Sequence, residues 1–294
     1  MFVEAIEKAS SFTRPIHSIK RNYASKVVHP GAATLFFVNS EGWALTCRHV
    51  ARLLPIADQI AANYKKFKDE FASGQGKIKE KKLCKELERK YKYTKRSIVE
   101  LRNKFVNCAQ GKFGVEVRFH NKLDVALIKF NAFERLLCEK FPVFVKDSSG
   151  LKQGKFLCRL GFPFPEFTNF TYNETLDKIE WSSTGQDNTP RFPIEGMVTR
   201  HLPGESNKII GFEMSTPGLR GQSGGPAFDA DGKIWGMQSA TGHLDLNFDI
   251  DQEVVRDGLP KRVQNSPFLH VGHCIHVDIL KSFMQEHKVH FNEE

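Results

Sequence analysis

Residues 218–232, GLRGQSGGPAFDADG, constrain the fold of this chain more than any other stretch. Glycine at 218, 221, 224, 225 and 232, together with Pro226, rules out a helix and is too dense for a strand interior. Two structures satisfy such a string. One is an ordinary loop leading into a hairpin. The other is a loop that holds Ser223 and two backbone amides against a reacting carbonyl. A further peculiarity is Gln222, a neutral amide immediately before the serine.

The chain around this loop reads mainly as β. Strand-like runs occur at 32–38, 43–47, 125–130, 155–160, 208–214 and 234–239, and Val115, Val117 and Phe119 alternate with Glu116, Arg118 and His120. Many short strands separated by turn residues predict a sandwich or barrels. Phe2, Ile6 and Ala9 fit one face of a short amphipathic helix, and VDILKSFMQEH at 277–287 predicts a closing helix. The stretch 162–204, rich in Phe, Pro, Asn and Thr, predicts long surface loops. With 294 residues, 40% hydrophobic and 26% charged, the composition is that of a globular protein with a large core. No apolar run approaches the ~20 residues of a membrane span, and the opening residues do not read as a secretory signal. Cysteines at 47, 84, 108, 138, 158 and 274 are scattered without a C-x-x-C pair, which predicts reduced thiols in a cytoplasmic protein. The tripeptides Asn169–Thr171 and Asn173–Thr175 match glycosylation acceptors, but without a leader they carry little weight.

The net charge of +9 has a local origin. Between residues 62 and 106, 15 Lys and Arg stand against 6 Asp and Glu, so the rest of the chain is close to neutral. Ile56, Ile60, Tyr64, Phe67 and Phe71 recur at helical spacing, SGQG (73–76) breaks the pattern, and Leu83, Leu87, Tyr91, Ile98, Leu101 and Phe105 give a second stripe. This predicts a basic antiparallel helical hairpin over 56–107, packed on itself or on the body of the protein. Lys65, Lys66, Lys81, Lys82, Lys95 and Arg96 are its candidates for binding nucleic acid or an acidic partner. A solvated helical face is the reading preferred here, because no nucleic-acid motif accompanies the charge.

Three strings hold the chemistry. GWALTCRHVA (42–51) places His49 just after a strand, NKLDVALIKF (121–130) places Asp124 at the entry of another, and the glycine-rich loop holds Ser223. Each alone has a bland explanation as a packed histidine or a turn residue. Together they answer a chemical need. A serine hydroxyl is a poor nucleophile unless a base lies within hydrogen-bond reach. Histidine can take its proton and return it to the leaving amine. A carboxylate must then fix the imidazole tautomer and stabilise the imidazolium. The N–H groups of Gly221 and Ser223 can converge on the developing oxyanion, and Gly224 and Gly225 keep the wall behind the serine small.

These strings resemble the trypsin-like (chymotrypsin-fold) serine peptidases, closest in style to the bacterial HtrA-like and intracellular trypsin-like branch. RLGFPFPEF, EGMVTRHL, GFEMSTPGLRGQSGGPAFDADGKIWGMQSA and HCIHVDILKSFM extend the resemblance over most of the chain outside the hairpin. The resemblance implies one mainly β peptidase domain over 1–294. It would hold two packed six-stranded antiparallel β-barrels, about 25–135 and 150–276, an inserted helical hairpin and a C-terminal helix. It implies a serine endopeptidase acting on protein or peptide substrates through His49, Asp124 and Ser223 and an acyl-enzyme, with no cofactor, and no PDZ domain after the closing helix. It places the wall for substrate backbone at Gln238, Ser239 and Ala240. The base of the pocket for the side chain before the scissile bond falls near Thr216–Gly218, so Thr216 and Gly218 are expected to line it. No acid stands there, so a small apolar or polar residue is expected rather than Lys or Arg. Secreted digestive relatives carry aspartate in place of Gln222, paired with a new N-terminus after cleavage. A neutral amide cannot make that pair, so the site is expected to form without zymogen cleavage.

One alternative remains open. A protease fold can serve as a catalytically silent binding module, here through the basic hairpin. His270, His273, Cys274 and His276 crowd together, but their spacing matches no strong zinc pattern and core packing at a strand edge explains them better. No metal is expected. Cys47 lies near His49 without an oxyanion loop of its own.

Overall fold

The computed structural model describes residues 2–76 and 79–294. Two antiparallel sheets dominate it. The first has six strands, ordered Ile98–Phe105, Thr13–Asn22, Val28–Phe37, Trp43–Thr46, Ala126–Asn131 and Gly114–Phe119. It curls without pairing of its end strands among the described residues. Phe105, at the end of one outer strand, reaches toward the other, with its ring 6.3 Å from Phe113 and 5.0 Å from Phe130.

The second sheet closes on itself. Pro226–Phe228, Phe156–Gly161, Phe192–Pro203, Ile209–Met214, Phe268–His276 and Lys233–Asp245 pair in that order, and Pro226–Phe228 pairs with Lys233–Asp245 to complete the ring. Val143–Phe144 and Asn292–Glu293 then add in parallel outside Lys233–Asp245. The architecture is therefore mainly β, as the resemblance implies, with one curled six-stranded sheet and one closed six-stranded ring with two added strands.

Two helices flank this body where periodicity places them. In α1 (Val3–Phe12), Phe2, Ala5, Ala9 and Phe12 are buried at helical spacing, with Phe2 edge-on to Phe228 of the second sheet. The helix stops because Arg14 precedes Pro15, a position that disfavours helical backbone. The Thr13 hydroxyl caps the Ala9 carbonyl at 2.6 Å, and the Arg14 guanidinium donates to the carbonyls of Ser10 and Ser11, both at 2.9 Å. The closing helix runs Val277–Glu286 and buries Val277, Ile279, Leu280, Phe283 and Met284. No helix among the described residues is long and apolar enough to cross a membrane.

The basic segment forms two helices, Leu53–Gly74 and Glu80–Tyr91. It departs from expectation at its end, because Ile98–Phe105 is an edge strand paired with Thr13–Asn22. Its apolar residues fit both periods. Pairing with a strand that begins the first sheet at Thr13, well before residue 25, decides in favour of β. Tyr64 and Phe67 from the first helix meet Leu83 and Leu87 from the second over Val99 of that strand. An ionic staple joins the hairpin to the body. Arg21 Nε lies 2.5 Å from Glu100 Oε2 and its Nη2 lies 3.1 Å from Asp177 Oδ1. The Tyr64 and Tyr172 hydroxyls donate to Asp177 at 2.9 and 2.8 Å. Arg21 and Glu100 are almost fully buried, so removing the cation strands a buried carboxylate. Arg21→Ala is expected to lower stability by about 3 kcal/mol, the scale of a broken buried pair. Arg21→Met combined with Glu100→Gln is expected to recover part of that loss. Urea unfolding midpoints of the three proteins check this.

Candidate active site

His49 and Asp124 are brought together by neighbouring strands of the first sheet. Trp43–Thr46 pairs with Ala126–Asn131 in a register that sets Thr46 opposite Ala126. The chain leaves Thr46 through an extended Cys47 into a single helical turn, Arg48–Ala51, which holds His49 with its side chain 54% exposed. Asp124 Oδ1 accepts the His49 backbone N–H at 2.9 Å, and Oδ2 lies 2.8 Å from His49 Nδ1. Asp124 Oδ2 also accepts the Ser239 hydroxyl at 2.6 Å. Burial raises the Asp124 pKa, but the hydrogen bonds from His49 and Ser239 outweigh it and hold the carboxyl below its ordinary range. An ionised carboxylate only accepts, so Nδ1 carries the proton of this bond, and in the neutral imidazole Nε2 is then the acceptor.

The glycine-rich loop sits against this pair. Gln222 N–H donates to the Leu219 carbonyl at 2.9 Å, closing a tight turn whose third residue, Gly221, has φ +106°. Positive φ at that position marks a type II turn. A Cβ on Gly221 would also lie 2.5 Å from the Phe162 carbonyl oxygen and 2.7 Å from Pro163 Cα. Thr34, from the first sheet, holds the turn from outside. Its hydroxyl donates to the Gly221 carbonyl at 2.8 Å and accepts Phe162 N–H at 3.2 Å, while its N–H donates to the Ser223 carbonyl at 3.1 Å. Gln222 holds it from inside. This fully buried amide accepts Leu219 N–H and donates to the Phe192 carbonyl, both at 3.1 Å. The N–H groups of Gly221 and Ser223 have no acceptor among the described residues. The Ser223 hydroxyl donates to the Ser239 carbonyl at 3.2 Å rather than to His49.

Ser239 and Ala240 lie at a bulge in the pairing of Lys233–Asp245 with Phe268–His276. Ser239, expected only as substrate wall, touches both Asp124 and Ser223. Ala240 is exposed. Gln238 is buried and framed by backbone, its N–H on the Gly225 carbonyl and its carbonyl accepting Gly224 N–H, both at 2.8 Å. Gly218 accepts the Thr241 hydroxyl at 2.6 Å. Thr216 meets a residue that sequence reasoning passed over, Arg159, whose Nη2 donates to the Thr216 hydroxyl at 2.6 Å and its carbonyl at 2.9 Å. The available signal was a lone cation in the otherwise apolar strand FLCRLG. Thr34 carried a similar signal, a polar residue within ATLFFV.

Cys47, His49 and Asp124 offer ligand atoms within 4.8 Å of one another. A metal there would need a thiolate. Cys47 is buried, its pKa is pushed well above the ordinary value chiefly by that burial, and its Sγ donates to the Gln238 carbonyl at 3.2 Å. The C-terminal group disperses into separate contacts. His270 Nδ1 lies 2.7 Å from His243 Nδ1, His273 Nε2 lies 3.6 Å from Glu213, and His276 Nδ1 accepts Asp278 N–H at 3.2 Å at the start of the closing helix. Cys274 lies buried beside Met214. Lys65, Lys66, Lys81, Lys82, Lys95 and Arg96 are all exposed on the hairpin. Thr34→Val keeps the shape of the seam while deleting the donor to Gly221 and the acceptor for Phe162. It is expected to destabilise the protein by ~1–3 kcal/mol and to slow Ser223 labelling by a fluorophosphonate. Unfolding midpoints and labelling rates check this.

Curated proteins yield no match to the chain. Among solved structures, an HtrA-type protease, AlgW, determined as a variant with a tripeptide, is similar over 97% of this chain and 62% of its own, at 11% identity and a TM-score of 0.47. This chain thus spans less than two thirds of that protease's length. The trypsin-like peptidase domain family matches residues 33–237, a span that holds His49, Asp124, Ser223, Thr34, Arg159 and Gln222. The chain belongs to the trypsin-like peptidase domain family.

Proposed function

We propose that this chain is a serine endopeptidase that hydrolyses peptide bonds through His49, Asp124 and Ser223 and an acyl-enzyme intermediate. The observation that carries the reading is the Asp124–His49 pair at 2.8 Å beside a serine loop with two unclaimed backbone N–H groups. Substrate binding turns the Ser223 hydroxyl from the Ser239 carbonyl toward His49 Nε2, a rearrangement in keeping with the loose catalytic hydrogen bonds of unliganded enzymes. Ser223 Oγ attacks the scissile carbonyl as His49 takes its proton. Asp124 stabilises the imidazolium that forms, and the N–H groups of Gly221 and Ser223 receive the oxyanion. His49 then protonates the leaving amine, and water repeats the sequence on the acyl-Ser223 ester to release the acid.

Ser239 acts in this scheme through both of its ends, steadying Asp124 with its hydroxyl and parking Ser223 with its carbonyl. Ala240 offers exposed strand edge for substrate backbone. Casein and quenched-peptide hydrolysis by the full-length protein tests the proposal. Ser223→Ala and His49→Ala are expected to abolish turnover above background, and Asp124→Asn to lower kcat by about 10⁴-fold. Hydrolysis that survives Ser223→Ala, or a folded wild-type protein that cleaves nothing, contradicts the reading.

A further inference from the structure

Arg159 is the largest fully buried side chain among the described residues. It rises from Phe156–Gly161 into the ground between the serine loop and the last strand. Nη1 donates to Gln238 Oε1 at 2.5 Å, and Nη2 donates to the Thr216 hydroxyl at 2.6 Å, the Thr216 carbonyl at 2.9 Å and the Pro217 carbonyl at 3.1 Å. A Cβ on Gly272 would lie 1.9 Å from Nη1, so that glycine makes room for the guanidinium. Every one of these acceptors is neutral. Nε is buried without a partner, and no carboxylate pairs with Arg159 among the described residues. A guanidinium stays charged in proteins, and a buried charge without a counter-charge is costly.

Thr216, Gly218 and Gln238 are the residues that the resemblance places around the pocket for the side chain before the scissile bond. On that placement the fully buried guanidinium lies directly behind the wall that Thr216 and Gln238 form. We infer that Arg159 sets substrate choice, selecting an acidic side chain, Asp or Glu, immediately before the scissile bond. This rests on the serine-peptidase reading and replaces the expectation of a small neutral residue. An arriving carboxylate supplies the counter-charge that the fold omits. Its neutral amide isostere does not, and Lys or Arg meets like charge. Thr216 and Gln238 hold the guanidinium fork at fixed angles, so the site is arranged before substrate arrives.

Peptide diphenyl phosphonates and matching quenched peptides that differ only in this residue (Asp, Glu, Asn, Gln, Ala or Lys) test the inference on the full-length protein. The acid of each isosteric pair is expected to react about 10- to 100-fold faster than its amide, the scale of a charge-assisted hydrogen bond. Arg159→Gln is expected to bring that ratio close to one and Arg159→Lys to keep part of it, with thermal unfolding reporting whether each variant is folded. The wild-type ratio stands as a test even if a variant does not fold. Ser223 labelling by a simple fluorophosphonate without any acid preference overturns the inference and leaves the serine-peptidase reading intact, as does an acid preference that persists in folded Arg159→Gln. No labelling of Ser223 by any probe overturns both.

Discussion

The seam between the two sheets depends on one side chain, Thr34. It is fully buried and uses every polar atom. Its hydroxyl reaches Gly221 and Phe162, its N–H reaches Ser223, and its carbonyl accepts the Thr46 hydroxyl at 2.7 Å. Gly224 allows the approach, since a Cβ there would lie 2.1 Å from the Thr34 carbonyl oxygen. The strand that carries Thr34 also pairs with the strand that delivers His49. One buried residue thus ties the position of the serine loop to the sheet that bears the histidine and the aspartate. Buried hydrogen bonds of this kind contribute little net stability each but are expensive to leave unmade, which makes the seam specific rather than merely adhesive.

Gln222 completes the arrangement from within the loop. Its amide is both donor and acceptor, so Leu219 and Phe192 can satisfy it without a charged partner. An aspartate in the same buried place would require a cation. The neutral side chain lets the turn at Gly221 close on local contacts alone, with its N–H left free beside that of Ser223. The same economy does not extend to Arg159, a fully buried cation that the fold surrounds with neutral oxygens.

Much of the candidate site was legible in the sequence because the residues that the structure brings together fall in short strings. The histidine turn, the aspartate at a strand entry and the glycine-rich serine loop each announce themselves through residues that an ordinary strand or helix would exclude. α1, the closing helix and the two helices of the basic hairpin were legible through their apolar period. Residues 98–105 were not, because Ile98, Leu101 and Phe105 satisfy a helical period while the strand that captures them lies some eighty residues earlier. Thr34 and Arg159 were obscured for a related reason. Each is one polar residue in an apolar strand, and only tertiary contact reveals whether such a residue is buried, paired or turned toward a site. The two roles of Ser239 depend on a bulge that no local signal marks.

On the proposed reading, Thr34 and Gln222 set the serine loop for catalysis as the chain folds, without a new N-terminus. Intact-mass spectrometry of the unprocessed full-length protein after exposure to a fluorophosphonate measures this directly. One probe on the intact chain, located at Ser223, is the expected result. Labelling that occurs only after residues are trimmed from the N-terminus would contradict it.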